Sequence, residues 1–207
     1  MVWIFVIPIL ILSVVIHEVS HGFVAYLNGD ETAKRQGRLT LNPLSHLDWF
    51  GSVLFPALLI VVQAPILLGW AKPVPIDPSQ FRNHKWGLFS VSIAGPLANV
   101  FLALVMSVFL KWIATDSMMY WLLFYGVSIN IILAIFNMIP IPPLDGSKVL
   151  AAFLSPQAAR VFFSYEKYGF IVLILLLYFG LIGKVIWPIY SKVIELLVPV
   201  SYQLALS

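Results

Sequence analysis

The sequence predicts an all-α polytopic membrane protein. Of its 207 residues, 61% are hydrophobic and only 10% charged, the mean hydropathy is +0.97, and long apolar stretches alternate with short polar joins. A helix rises ~1.5 Å per residue, so about 20 apolar residues cross a hydrocarbon core of ~30 Å. At that depth backbone polar groups must be satisfied internally, which helices do within one segment.

The first apolar segment runs over 2–27, with Ser13 as its only polar side chain before His17. It lacks a basic leader and a small-residue cleavage site, so it reads as a retained membrane helix rather than a signal peptide. Asn28, Gly29 and Asp30 supply helix-ending chemistry, and a polar loop follows over 31–48. Residues 52–70 are apolar but carry Pro56, Gln63, Pro65 and Gly69, which makes them a poor straight span. The proline-rich stretch 71–85 is expected to be extended or turning, because each proline removes a donor and restricts the residue before it. Residues 86–112 and 118–139 read as two spans joined by a short turn. Residues 140–146 break the helix, 147–154 form a short one, and 168–186 read as another span. Residues 188–199 are too short for a crossing. With no linker or repeat, 1–207 reads as a single integral membrane domain, with a core at 1–150 and C-terminal membrane helices at 155–207.

The net charge of +3 comes from basic residues scattered through short loops. Such a distribution suits topology signals and argues against a nucleic-acid partner. Cysteine is absent, so disulfides and thiolate ligands are excluded.

The chemistry concentrates in His17-Glu18-Val19-Ser20-His21, an HExxH motif inside the first apolar segment. Positions i and i+4 share a helix face, so His17 and His21 can address one metal ion. Glu18, on the flank of that face, is placed to take a proton from water, as in zinc peptidases. The plainer reading is a polar cluster facing other helices. It leaves unexplained why two imidazoles and a carboxylate are buried in an apolar segment.

Catalytic zinc commonly takes three protein ligands. Most remaining acids sit in polar joins or beside basic residues, whereas Asp145 follows a broken apolar stretch that can present a carboxylate at membrane depth. One Zn²⁺, one aspartate and one ionised Glu18 also sum formally to zero charge, which is cheaper to bury. An ordinary Asp-Gly turn is the alternative for Asp145, and His46 and His84, both in polar loops, are rival ligands.

The chain resembles the site-2 protease family of intramembrane zinc metalloproteases, peptidase family M50, in a minimal form without PDZ or CBS domains. HEVSH is similar to that family's first motif. Residues 137–146, NMIPIPPLDG, are similar to its second, and Gly95, Pro96 and Asn99 to a Gly-Pro-x-x-Asn element between them. The likeness covers about residues 1–150 and departs at Ser147, where a second glycine is common. It implies a core of three membrane helices with a re-entrant or extended segment, and C-terminal helices beyond. It also implies one zinc ion per chain held by His17, His21 and Asp145, with Glu18 as base and Asn137 holding the substrate backbone or the developing oxyanion. Gly95, Pro96 and Asn99 read as packing residues.

The expected activity is hydrolysis of transmembrane protein substrates within or near the bilayer. Residues 71–77 could pair with an unwound substrate strand or serve as a plain connector. A metal-ion or proton transporter would use a similar His/Glu/Asp cluster. A silent helix-capturing protein is a third reading, disfavoured by Glu18 lying between the two histidines.

His21 lies near the end of the first helix, so Asp145 must return to that same membrane face. The crossing count closes only if 52–70 makes no net crossing. The face carrying Lys34, Arg35, Arg38, Lys72, Arg82 and Lys85 is then cytoplasmic by the positive-inside rule, with Lys111 opposite, in a multi-pass protein of the cell membrane. Single cysteines placed at 40 and 111 in this cysteine-free chain are therefore expected to label from opposite sides in oriented vesicles. Labelling from one side would break the count.

Overall fold

A computed structural model describes residues 3–63 and 69–198, and among these the regular structure is helical. Helix α1 spans Trp3–Leu27, and a short α2, Thr32–Arg35, sits within the polar loop. A wide turn over Trp49–Leu54 leads into α3, Phe55–Val61. Then come α4, His84–Leu110, and α5, Met118–Asn137, followed by α6, Asp145–Ala151. The chain finishes with α7, Pro156–Ser164, α8, Glu166–Tyr178, and α9, Leu181–Leu197.

Among the described residues three single helices are long and apolar enough to cross a membrane, Val6–Leu27 of α1, α4 and α5, with the bent α7–α8 pair a fourth if it counts as one span. The three single helices pack on one another as the central bundle. Capping defines where they start. The Asn83 side chain accepts from Trp86 N–H to open α4, and Ser117 does the same for Tyr120 N–H to open α5, each satisfying a donor that the first helical turn leaves free.

The bundle is apolar outside and small or polar inside. Leu97, Phe101, Leu104 and Val108 of α4 point outward, while Ser92, Gly95, Asn99, Ala103 and Ser107 face its neighbours. Lipid is as apolar as leucine, so membrane helices associate through close backbone approach and interhelical hydrogen bonds. Small residues on α4 permit the first and Asn99 supplies the second.

The uncrossed segment is present. Arg82 N–H donates to Asn28 O at 2.9 Å, so the start of α4 lies beside the end of α1. Inside that closure Lys72 N–H meets His46 O at 2.8 Å, and Trp70 N–H meets Gly51 O at 3.1 Å. The excursion from 51 to 70 therefore leaves and returns at one place. Its Pro65 lies outside the described residues, as do residues 199–207 of the C-terminal segment.

Residues 71–77 have no regular structure, reach an extended conformation at Asp77 and are held by side chains. Arg38 donates to Lys72 O and Pro73 O at 3.0 and 3.3 Å. Asp30, fully buried, takes Asp77 N–H at 2.7 Å and Thr32 N–H at 2.9 Å. At the segment's end the Ser79 hydroxyl, then Gln80, donates to Asp77 and holds its carboxyl below the ordinary value.

The C-terminal third departs from the sequence expectation. The span expected over 168–186 is interrupted: α8 ends at Tyr178, and Gly180 takes a left-handed φ of 69° before α9 begins. Glycine carries no penalty there because it has no Cβ. Helix α9 then runs through Pro188, where the sequence suggested a fresh, short segment. Helices α7 and α8 form a pair bent by 60°. The short helix expected over 147–154 starts two residues earlier, so Asp145 lies in the first turn of α6 rather than in a preceding Asp-Gly turn.

Asp30→Ala removes the acceptor of two backbone donors and leaves them unsatisfied, which typically costs about 1–3 kcal/mol. Reversible unfolding in detergent is expected to show a loss of that order, with smaller loss for Asp30→Asn.

Candidate active site

Two elements meet at the end of the bundle where α1 finishes. Helix α1 presents His17 and His21 one turn apart, and α6 packs against α4 and brings Asp145 onto them. His17 Nε2 and His21 Nε2 are 3.0 Å apart, and each lies 3.1 Å from Asp145 Oδ2. All three residues are buried. The other Asp145 oxygen faces Lys148 Nζ at 3.8 Å, across a partly exposed edge.

The far nitrogens of both imidazoles are engaged. His21 Nδ1 lies 2.6 Å from Val91 O, a carbonyl that only accepts, so Nδ1 carries the proton and Nε2 presents a lone pair. His17 Nδ1 lies 2.6 Å from Asn99 Oδ1, which orients this ring in the same way. Nε2 of each ring and a carboxylate oxygen thus converge, an arrangement satisfied by a cation among them, whether a proton or a metal ion. A tetrahedral ion with bonds of ~2.1 Å spaces its donors ~3.4 Å apart, close to the separations found. The three donors form the group among the described residues that could hold a metal ion.

Gly95 of α4 forms the floor. A Cβ built there would lie 2.6 Å from His17 Cε1 and Nε2, and closer still to His21 Nε2. A side chain would collide with both imidazoles, so Gly95 lies against the candidate ligands and not only at a helix contact, as the sequence suggested.

Glu18 stands beside the cluster, and its Oε2 accepts Val74 N–H at 2.9 Å. A cavity of about 260 Å³ opens here, with Glu18, His21 and Asp145 on one side and Val74, Ile76, Phe81 and Leu88 on another. A carboxylate, the three-donor cluster and the backbone of 71–77 thus share one cavity.

The rival ligands lie elsewhere. His46 is buried in the loop with Nε2 2.8 Å from Thr40 O, and exposed His84 has Nδ1 3.3 Å from Pro78 O. Asn137 ends α5, and its amide donates to Leu133 O at 3.0 Å, one turn back in its own helix. Asn99, taken from sequence as packing, instead contacts His17. Its signal was an amide in an apolar span, where polar groups need a reason.

The profile of peptidase family M50 matches residues 111–180, which include α5, Asp145 and α8. YwhC of Bacillus subtilis (strain 168), provisionally named a zinc metalloprotease, is 37% identical over 86% of this chain and 82% of its own length. The chain belongs to peptidase family M50. Rip2 of Mycolicibacterium smegmatis, named in the same provisional way, is 30% identical over 85% of this chain and 67% of its own. MJ0611 of Methanocaldococcus jannaschii, likewise named, is 48% identical over 29% of this chain and 31% of its own. No solved structure matches it at a significant level. Membership of a peptidase family confirms the family read from the motifs and favours a hydrolase over the transporter alternative. With three spans by length and composition, this M50 member is a multi-pass membrane protein.

Gly95→Ala is expected to abolish divalent-metal retention while far-UV circular dichroism keeps the helical signal. A variant that binds metal as tightly as the parent would show that the donors do not close around the space Gly95 leaves.

Proposed function

We propose that this chain is an intramembrane zinc endopeptidase of the site-2 type, hydrolysing peptide bonds of transmembrane proteins at the end of its helix bundle. The observation that carries the reading is the convergence of His17, His21 and Asp145 within 3.1 Å, with Glu18 in the same cavity. His17, His21 and Asp145 would hold one Zn²⁺. Zinc, when bound, supplies Lewis acidity toward a carbonyl oxygen and lowers the pKa of water.

Glu18 is the general base. Its carboxylate takes a proton from the attacking water and returns it to the departing amine nitrogen as the C–N bond breaks. In the present structure Glu18 accepts Val74 N–H. Turning toward the water exchanges that contact for another, and leaves Val74 N–H free to meet a substrate carbonyl. An unwound substrate segment laid along 71–77 gains backbone hydrogen bonds at this edge. Helical substrates conceal their carbonyls in their own hydrogen bonds, so unwinding must come first.

Asn137 enters as the group that holds the acyl portion of the substrate, by turning from Leu133 O toward the cavity. An amide suits that task because it donates and accepts without adding charge. The active-site end lies on the cytoplasmic side of the cell membrane in this reading. Lys34, Arg35, Arg38, Lys72, Arg82 and Lys85 belong to the connection between α1 and α4 or to the start of α4 at that end, and Lys111 follows the far end of α4.

The test compares the parent with Glu18→Gln in detergent, measuring bound zinc and cleavage of a model transmembrane peptide. Zinc is expected to stay near one per chain while cleavage falls by about 10²–10⁴-fold. Undiminished cleavage rejects Glu18 as the base, and the loss of zinc from parent protein purified without chelators rejects the metal assignment.

A further inference from the structure

The bundle buries a chain of polar side chains that starts far from the cavity and ends on a proposed metal ligand. Ser13 of α1, Asn99 of α4 and Asn130 of α5 are each at most 1% exposed. Asn130 Nδ2 donates to Ser13 Oγ at 2.9 Å and to Gly126 O at 2.9 Å. Asn130 Oδ1 receives Asn99 Nδ2 at 2.8 Å, and Asn99 Oδ1 faces His17 Nδ1 at 2.6 Å.

The direction of every bond in this chain is determined. Gly126 O is a backbone carbonyl and only accepts, so the NH₂ of Asn130 must face it and the Asn130 oxygen must face Asn99. That oxygen in turn calls for the NH₂ of Asn99, whose second contact is Ser13 O at 3.4 Å, another acceptor. The Asn99 oxygen is then left for His17, which must donate from Nδ1. The Nε2 lone pair is thereby directed at His21 and Asp145.

We infer that Asn130, with Ser13, is a positioning residue that sets the tautomer of His17 from across three helices and so the metal affinity of the site. It touches neither substrate nor metal. Without it, the Asn99 NH₂ loses its nearer acceptor and keeps only the 3.4 Å contact to Ser13 O, so the amide can turn and present its NH₂ to His17, which favours a proton on Nε2 and opposes metal binding. The inference rests on the reading of His17 as a metal ligand, but the proton it predicts on Nδ1 is set by Asn99 and is present in the metal-free protein as well.

The experiment measures zinc affinity of the full chain in detergent by chelator competition, together with the ¹⁵N chemical shifts of His17 in the metal-free state. Asn130→Ala is expected to weaken zinc about 10–100-fold, the usual effect of removing a partner behind a ligand, and to convert His17 from its Nδ1–H form to a mixture. Val127→Ala is the packing control. It truncates a fully buried α5 side chain and is expected to leave zinc affinity within about twofold of the parent.

Asn130→Ser serves if the alanine protein does not fold. Its hydroxyl can return to Gly126 O but is too short to orient Asn99, and the same loss is expected. Rescue discriminates further: in an Asn99→Asp background both oxygens accept, His17 Nδ1–H finds an acceptor either way, and Asn130→Ala loses its effect on zinc. The inference is overturned by unchanged zinc affinity and tautomer in the folded Asn130 variant, by an equal loss in Val127→Ala, or by failure of the Asn99→Asp background to suppress the effect. Full zinc affinity in His17→Ala would instead overturn the metal reading, while the tautomer shift would still report on the relay.

Discussion

Everything in this structure is arranged around the difficulty of keeping two imidazoles and two carboxylates in an apolar bundle. An ionised group without partners is too costly at that depth, so each is met by a specific contact. His21 uses a backbone carbonyl, His17 an asparagine, Asp145 both imidazoles, and Glu18 a backbone N–H. Those partners come from α4, from α1 itself and from the segment 71–77, while α6 brings Asp145. The site is therefore held by the whole core and not by the motif helix alone.

The same constraint accounts for the composition of α4. It must approach α1 closely enough for Val91 O and Asn99 to reach the histidines, yet leave a void between them. Gly95 allows both, since a side chain there would collide with both imidazoles. Outward, the helix carries leucine, phenylalanine and valine. In a soluble protein this pattern would be inside out. In lipid the outer face gains little by burial, and close helix contact needs small residues within.

The connection between α1 and α4 decides where the chemistry can occur. Three nested backbone closures return the chain to the face it left, and only then do α4 and α5 carry Asp145 back to the histidines. Residues 71–77 profit from that return. They run past Glu18, tied by Arg38 and Asp30, with prolines that prevent their own helix.

The membrane class, the bounds of α4 and α5 to within a few residues, the HExxH face and the need for an uncrossed segment were all legible in the residues alone. These follow from hydropathy, helical period and charge balance, which are local or additive. Depth also marked Asp145, although an ordinary turn was open until α6 placed it beside the histidines. Packing alone places Gly95 and Asn99 against the two histidines, bonds Asn137 to its own helix and interrupts the last expected span at Gly180. Each of those depends on which residue from a distant helix arrives at a given atom, or on a backbone dihedral that neighbours impose. Hydrophobic pattern does not encode such contacts, because a glycine that packs against a helix and one that lies against two imidazoles read identically along the chain.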